Sequence, residues 1–199
     1  MEQKKEDIYM VTATIIGRLQ AQEELSTGKA ALAALRHSIG KPLGEVPAVW
    51  SILFEDMPEK FLSCNGKETK AERAIYAALQ LYAVQKQGRR GKENSDVAKN
   101  IGEALHKLRL GTEQKALDKR FNASLAAVSF EVFIYQLRQL MKLAKAKGAL
   151  PLDFAALARD LYYYQLGYKD RICLSWAESY YRISAKETAE AVKGKNEEE

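Results

Sequence analysis

Two histidines and two cysteines are the only side chains in this 199-residue chain that readily supply a catalytic base or a soft metal ligand at neutral pH. Cys64 and Cys173 are far apart, and neither sits in a Cys-x-x-Cys pair or beside a histidine. His37 follows an arginine near a helix end, and His106 lies in the basic stretch His106-Lys107-Leu108-Arg109. Both read as surface or phosphate-contacting histidines rather than as catalytic bases. Carboxylate pairs offer no more: Glu55-Asp56 falls in a turn, and Asp153 precedes an apolar helical run as an N-cap would. Gly88-Arg89-Arg90-Gly91 follows a helix instead of a strand and lacks the Lys-Ser/Thr that completes a phosphate-binding loop. These residues assemble no active site, no zinc site and no cofactor motif, so no enzymatic activity and no cofactor are expected.

Positive charge is the chemistry that remains. The chain has 31 Lys and Arg against 26 Asp and Glu. Its distribution matters more than its total. From Gly88 to Lys147 there are 13 basic and 6 acidic residues, a net +7, while the remaining 18 basic and 20 acidic residues give −2. Lys115 and Lys119, then Arg138, Lys142 and Lys145, are offset by three or four and so share helix faces. From Val132 to Lys147 there is no Asp or Glu to neutralise them. Unpaired cations on adjacent helices attract phosphate backbone. Arg89, Arg90 and Lys92 add a basic loop that serves either as an arm ordering on a phosphate chain or as a solubilising turn. Near the C-terminus, Tyr162, Tyr163, Tyr164, Tyr168, Tyr180 and Tyr181 crowd around Trp176, holding six of the ten tyrosines. Their spacing favours core or subunit contact over a base-stacking platform, and Tyr164, Tyr168 and Trp176 are the candidates for a subunit interface.

The elements that must position these groups are helical. Ala and Leu number 51 and the β-branched Val and Ile 18. Apolar residues recur at three and four: Ile8, Val11, Ile15, Leu19; Ala71, Ile75, Ala78, Leu79, Tyr82; Leu117, Phe121, Leu125; Phe133, Leu137, Leu140, Met141, Ala144; Phe154, Leu157, Leu161. No alternating strand pattern stands out. Breakers predict helices over Glu6–Leu25, Lys29–Ile39, Pro47–Phe54, Glu68–Gln87, Ser95 to Leu110, Gly111 to Ala126, Ser129–Lys147, Pro151 to Gly167, and onward to Ile183. An all-α fold of about eight or nine helices follows, as one compact unit or as two packed lobes. The corresponding division is 1–110 and 111–184 with a soft boundary at 88–111, and a charged, disordered tail from 185 to 199. The charged N-terminal Met1–Asp7 lacks the basic-then-apolar order of a signal peptide and no apolar run is long enough to span a bilayer, so a soluble, cytoplasmic protein is expected.

Several stretches resemble the CasB family, the small subunit of the type I-E CRISPR surveillance complex Cascade. They are Ala31–Pro42 (ALAALRHSIGKP) followed by Glu45–Trp50 (EVPAVW), then Leu117–Phe121 (LDKRF), Gln136–Leu140 (QLRQL), Leu152–Leu161 (LDFAALARDL) and Trp176–Tyr181 (WAESYY). The ordered combination carries the resemblance, which spans about residues 29 to 182. It implies an all-α, non-enzymatic protein of antiviral defence. Such a protein packs as a head-to-tail pair beside the backbone and large subunits, helps hold the guide RNA assembly together, and offers a basic path to target DNA, especially the displaced strand. In that setting base pairing supplies specificity and the protein reads backbone. Arg36, Arg120 and Arg138 match basic positions inside the family's motifs. Lys70, Lys142, Lys169 and Arg171 lie where the family tends to be basic, and Lys119 accompanies Arg120. Around Asn122–Val128 the chain departs from members that carry further Arg, which Arg89, Arg90 and Lys92 would offset. Two alternatives are carried forward: a structural spacer whose basic face meets protein partners only, and a structural role for Arg120 in pairing with Asp118 or another carboxylate. A helix-turn-helix regulator is disfavoured, because no short recognition helix follows a tight turn.

Overall fold

The structure is a computed structural model that describes residues 7–88, 97–109, 114–147 and 150–182. Within these residues nine α-helices form: α1 (Ile8–Ala21), α2 (Ser26–His37), α3 (Pro47–Phe54), α4 (Lys70–Lys86), α5 (Ile101–Arg109), α6 (Gln114–Leu125), α7 (Phe130–Lys147), α8 (Phe154–Tyr163) and α9 (Lys169–Tyr181). Two single 3₁₀ turns, at Leu43–Glu45 and Glu59–Phe61, complete the helical elements, and a kink at Gly167 within Tyr164–Tyr168 separates α8 from α9. A lone parallel bridge joins Ala98 to Leu152. The fold is all-α, as its patterning requires, and no described helix is long and apolar enough to cross a membrane.

Local signals set the helix starts. Asp7 caps α1 by accepting from the Met10 amide. Pro47 opens α3, where its missing N–H is not needed. Thr69 and Glu72 form a reciprocal capping box at the head of α4. Asp153 accepts from the Ala155 and Ala156 amides and so starts α8. The α1–α2 junction differs from the sequence expectation: α1 ends at Ala21 and α2 already begins at Ser26. Gly28 is therefore not a breaker. It lies in the first turn of α2, where a Cβ would fall 2.0 Å from the Gln22 carbonyl oxygen, so its role is close approach.

Helix α4 is the axis of the molecule. Ala71 to Gln85 are all buried except Arg73, and α1, α2, α3, α7 and α8 pack around it. Its many alanines let those neighbours approach closely. Helix α8, from the C-terminal part of the chain, packs against both α1 and α4. One continuous hydrophobic cluster consequently runs from Ile8 to Tyr180, through both halves of the proposed two-lobe division. Helices α5 and α9 are pressed together at Gly102, where a Cβ would lie 1.9 Å from the Trp176 carbonyl oxygen.

Candidate nucleic-acid interface

The polar residues of α4 organise its two flanks. The Ser38 carbonyl at the end of α2 accepts from Tyr76 Oη and Gln80 Nε2, both at 3.0 Å, and Tyr76 Oη also donates to the Lys41 carbonyl at 3.2 Å. These bonds tie α2 along one side of α4. One turn further, Arg36 Nη1 donates to the Ala83 carbonyl at 3.3 Å. On the other side, Lys145 Nζ of α7 donates to the Val84 carbonyl at 2.9 Å. Both cations thus meet the last carbonyls of α4, where helix dipole and unpaired acceptors favour positive charge. At the far end of the α4–α7 contact, Arg73 pairs with Glu131 and stacks its guanidinium 4.9 Å from the Phe130 ring centre.

Between these fixed ends lies a cleft of about 810 Å³, bordered by the basic Lys41, Lys67, Arg73 and Arg138, the acidic Glu45, Glu68 and Glu131, and the polar Tyr76 and Gln80. Arg138 is the exceptional member. Its Nε is shielded from solvent and has no hydrogen-bond partner, and its guanidinium forms no ion pair with a described residue. Burial pulls its pKa below the usual arginine value, against the opposing influence of Tyr135 and Tyr76. Even so, a guanidinium stays protonated at any physiological pH. The cleft therefore holds a half-buried positive charge with an unsatisfied donor. Lys142, one turn along α7, is exposed.

The structure does not gather the remaining candidates at this cleft. Lys119 and Arg120 are exposed on α6, with no ion pair to a described residue. Arg120 is not the partner of Asp118: Asp118 Oδ1 accepts from Arg109 Nε at 3.0 Å and from Tyr180 Oη at 2.7 Å. Burial pushes the Asp118 carboxyl up, but these hydrogen bonds and the Arg109 charge hold it below the ordinary value. Lys70 is exposed at the start of α4, and its carbonyl accepts from Gln165 Nε2 at 3.0 Å. Lys169 Nζ is committed to the Ala127 carbonyl at 2.6 Å, and Arg171 is exposed on α9. Arg89, Arg90 and Lys92 lie outside the described residues, as does the tail from 185.

Two readings of the sequence need correction. His106 is not a surface group: it is buried, with Nδ1 2.7 Å from the Tyr180 carbonyl, so that nitrogen carries the proton. Of the three proposed interface aromatics, Trp176 and Tyr164 are core residues, 1% and 7% exposed. Tyr164 stacks on Phe133 at 4.3 Å between ring centres, and Trp176 Nε1 donates to Asp160 Oδ2 at 2.8 Å. Tyr168 is half exposed. Conversely, Tyr76, Gln80 and Arg73 border the cleft without having been singled out. Two polar residues at i and i+4 in an otherwise Ala- and Leu-rich buried helix are the signal that could have found Tyr76 and Gln80.

Among the described residues no three His, Cys, Asp or Glu side chains come together as a metal site. What the fold and the cleft define is an all-α protein in which one half-buried arginine, with an unpartnered donor, is held by a rigid helical frame. The chain belongs to the CRISPR-associated Cse2 family, whose model matches residues 31–181. CasB from Thermobifida fusca is similar in structure at 26% identity and a TM-score of 0.69, covering 88% of this chain and 98% of that one. A Cse2-family protein from Thermus thermophilus matches at 26% identity and a TM-score of 0.62, over 85% of this chain and 97% of its own. A chain of a CRISPR RNA-guided surveillance complex shares the fold at 19% identity with a TM-score of 0.72, over 93% and 99%. Comparison with curated protein sequences returns no match.

Proposed function

We propose that this protein is the small subunit of a type I-E CRISPR surveillance complex in the cytoplasm. It works without catalysis, contacting nucleic-acid backbone irrespective of sequence to stabilise the guide RNA assembly and to hold the displaced strand of the R-loop. Its partners are the backbone and large subunits, a second copy of itself, guide RNA and target DNA. The observation that carries this reading is Arg138, a half-buried guanidinium with an orphaned donor in a cleft where Lys41 and Lys67 stand among Glu45, Glu68 and the Arg73-paired Glu131. A phosphate oxygen supplies both the charge and the acceptor it lacks. Exchange of a DNA duplex for a guide–target heteroduplex is nearly balanced, so even weak retention of the displaced strand shifts the outcome. Arg36 and Lys142 on flanking helices extend the basic surface, and Arg120 with Lys119 adds a second patch on α6.

The test is reconstitution of the complex with Arg36→Glu, Arg120→Glu and Arg138→Glu combined. Assembly is expected to persist while target-DNA retention falls and loses much of its salt dependence. Unchanged retention in the triple variant, together with no crosslinking of the wild-type subunit to either strand, would instead establish a spacer that contacts protein only.

A further inference from the structure

A second cleft, separate from the α2–α4–α7 groove, opens where α8 passes into α9. It encloses about 470 Å³ and is bordered by Arg159, Asp160, Tyr163, Tyr168, Arg171 and Ser175. This lies within the range of small-ligand sites. The kink between the two helices builds it. At Gly167 the backbone takes φ = +97°, a conformation open to glycine and strained for other residues. Here the kink brings Tyr168 back against Tyr163, with ring centres 5.8 Å apart and planes at 79°. Tyr163 in turn meets Tyr162 edge to face at 5.8 Å. Tyr168 is thus a braced ring that is still 50% exposed, and its conformational entropy is largely spent before any ligand arrives.

The polar groups around this ring have a definite arrangement. Asp160 lies at the floor with Oδ2 fixed by Trp176, while its Oδ1 is 3.7 Å from Arg159 Nη2, too long for a hydrogen bond. Arg159 and Arg171 are exposed at the rim, and Arg171 forms no ion pair with a described residue. A flat apolar face, an acceptor below it and two cations beside it match a nucleotide. The base has a π-face and ring N–H or amino donors, and the neighbouring phosphate carries the negative charge.

We propose that this cleft is a nucleotide site, taking one unpaired base of a single strand on the Tyr168 ring and the adjoining phosphate on Arg171. The proposal rests on the reading of the protein as a nucleic-acid binder, but it adds a contact to bases where that reading invokes backbone alone. A peptide or a second copy of the chain would also value exposed tyrosine. The concave shape and the unpaired Arg171 at the rim favour the nucleotide.

The full chain is titrated with a labelled oligothymidylate of about 12 nucleotides, within the usual single-strand site sizes, and with an abasic strand of equal length. Wild-type protein is expected to favour the base-bearing strand on the order of tenfold. Tyr168→Ala should erase that preference and leave affinity for the abasic strand unchanged, and Tyr168→Phe should retain it. Arg171→Gln should weaken both strands. Arg36→Glu combined with Arg138→Glu should weaken both strands equally, reading out the backbone groove independently. Equal wild-type affinity for the two strands overturns the proposal, as does a Tyr168→Ala variant that weakens both alike. An unaltered Tyr168→Ala titration with changed self-association in sedimentation velocity overturns it in favour of a protein contact.

Discussion

Arg138→Met separates stability from binding at one residue. Methionine keeps most of the length and apolar stem of arginine, so packing against α4 is largely retained. What disappears is a charge whose Nε is buried without a partner. An unsatisfied buried donor costs about 1–3 kcal/mol, and replacing poorly compensated buried charge by apolar volume is often neutral or stabilising. The variant should therefore be as stable as the wild type or more so, by about 1 kcal/mol, which corresponds to a rise of roughly 2–4 °C in Tm for a chain of this size. Nucleic-acid binding should move the other way. Loss of one phosphate contact reduces the slope of log Kobs against log salt by about 0.7 for a single strand. Thermal unfolding by circular dichroism and fluorescence anisotropy across a salt series measure the two effects on the same preparation. A loss of more than about 2 kcal/mol on substitution would mean that the Arg138 guanidinium has a structural partner and is not an orphaned charge.

Three further substitutions test the frame. Gly102→Ala places a Cβ 1.9 Å from the Trp176 carbonyl oxygen, and calorimetry should show destabilisation of about 1–3 kcal/mol or more as α5 and α9 are forced apart. Thr69→Ala removes the capping box of α4, and chemical denaturation should register about 0.5–2 kcal/mol. Burial raises the Asp160 pKa, with the Trp176 hydrogen bond opposing, so the folded state binds this proton more tightly than the unfolded chain does. Stability from this group is present at low pH and is lost as pH rises from about 3.9 through the folded pKa. Asp160→Asn keeps an acceptor for Trp176 without the charge. It should be the more stable form at pH 7, with the advantage vanishing near pH 3, as followed by urea unfolding at each pH.

The apolar stripes on α1, α4, α6, α7 and α8 were legible because each is amphipathic or uniformly apolar over several turns, and the caps at Asp153 and Pro47 because their side chains act on neighbouring backbone. His106 was not legible. Lys107 and Arg109 beside it suggested a solvated face, yet it stands four residues after Gly102 and so shares the side of α5 that meets α9. The burial of Trp176 and Tyr164 depends on what α9 and the kinked end of α8 pack against, which is a tertiary fact. Arg138 is legible as a motif cation, but the burial of its Nε without a partner emerges only when α2 and α7 are set on either side of α4. Arg120 shows the converse. Asp118, two residues away in sequence, points to Arg109 because residues at i and i+2 face different sides of a helix.

The insertion of α8 against α1 and α4 bears on the order in which the chain can be completed during synthesis. Helices α1 to α4 emerge first and bury their apolar faces only in part, because a principal neighbour of both α1 and α4 begins at Phe154. A nascent chain stalled before that residue exposes the stripe Ile8, Val11, Ile15 and Leu19 and one side of α4. The N-terminal helices accordingly wait on contacts of high sequence separation, which slow folding and prolong exposure to chaperones and proteases. A break or frameshift after α7 would yield a fragment unable to close its core, because α1 and α4 would both lack α8.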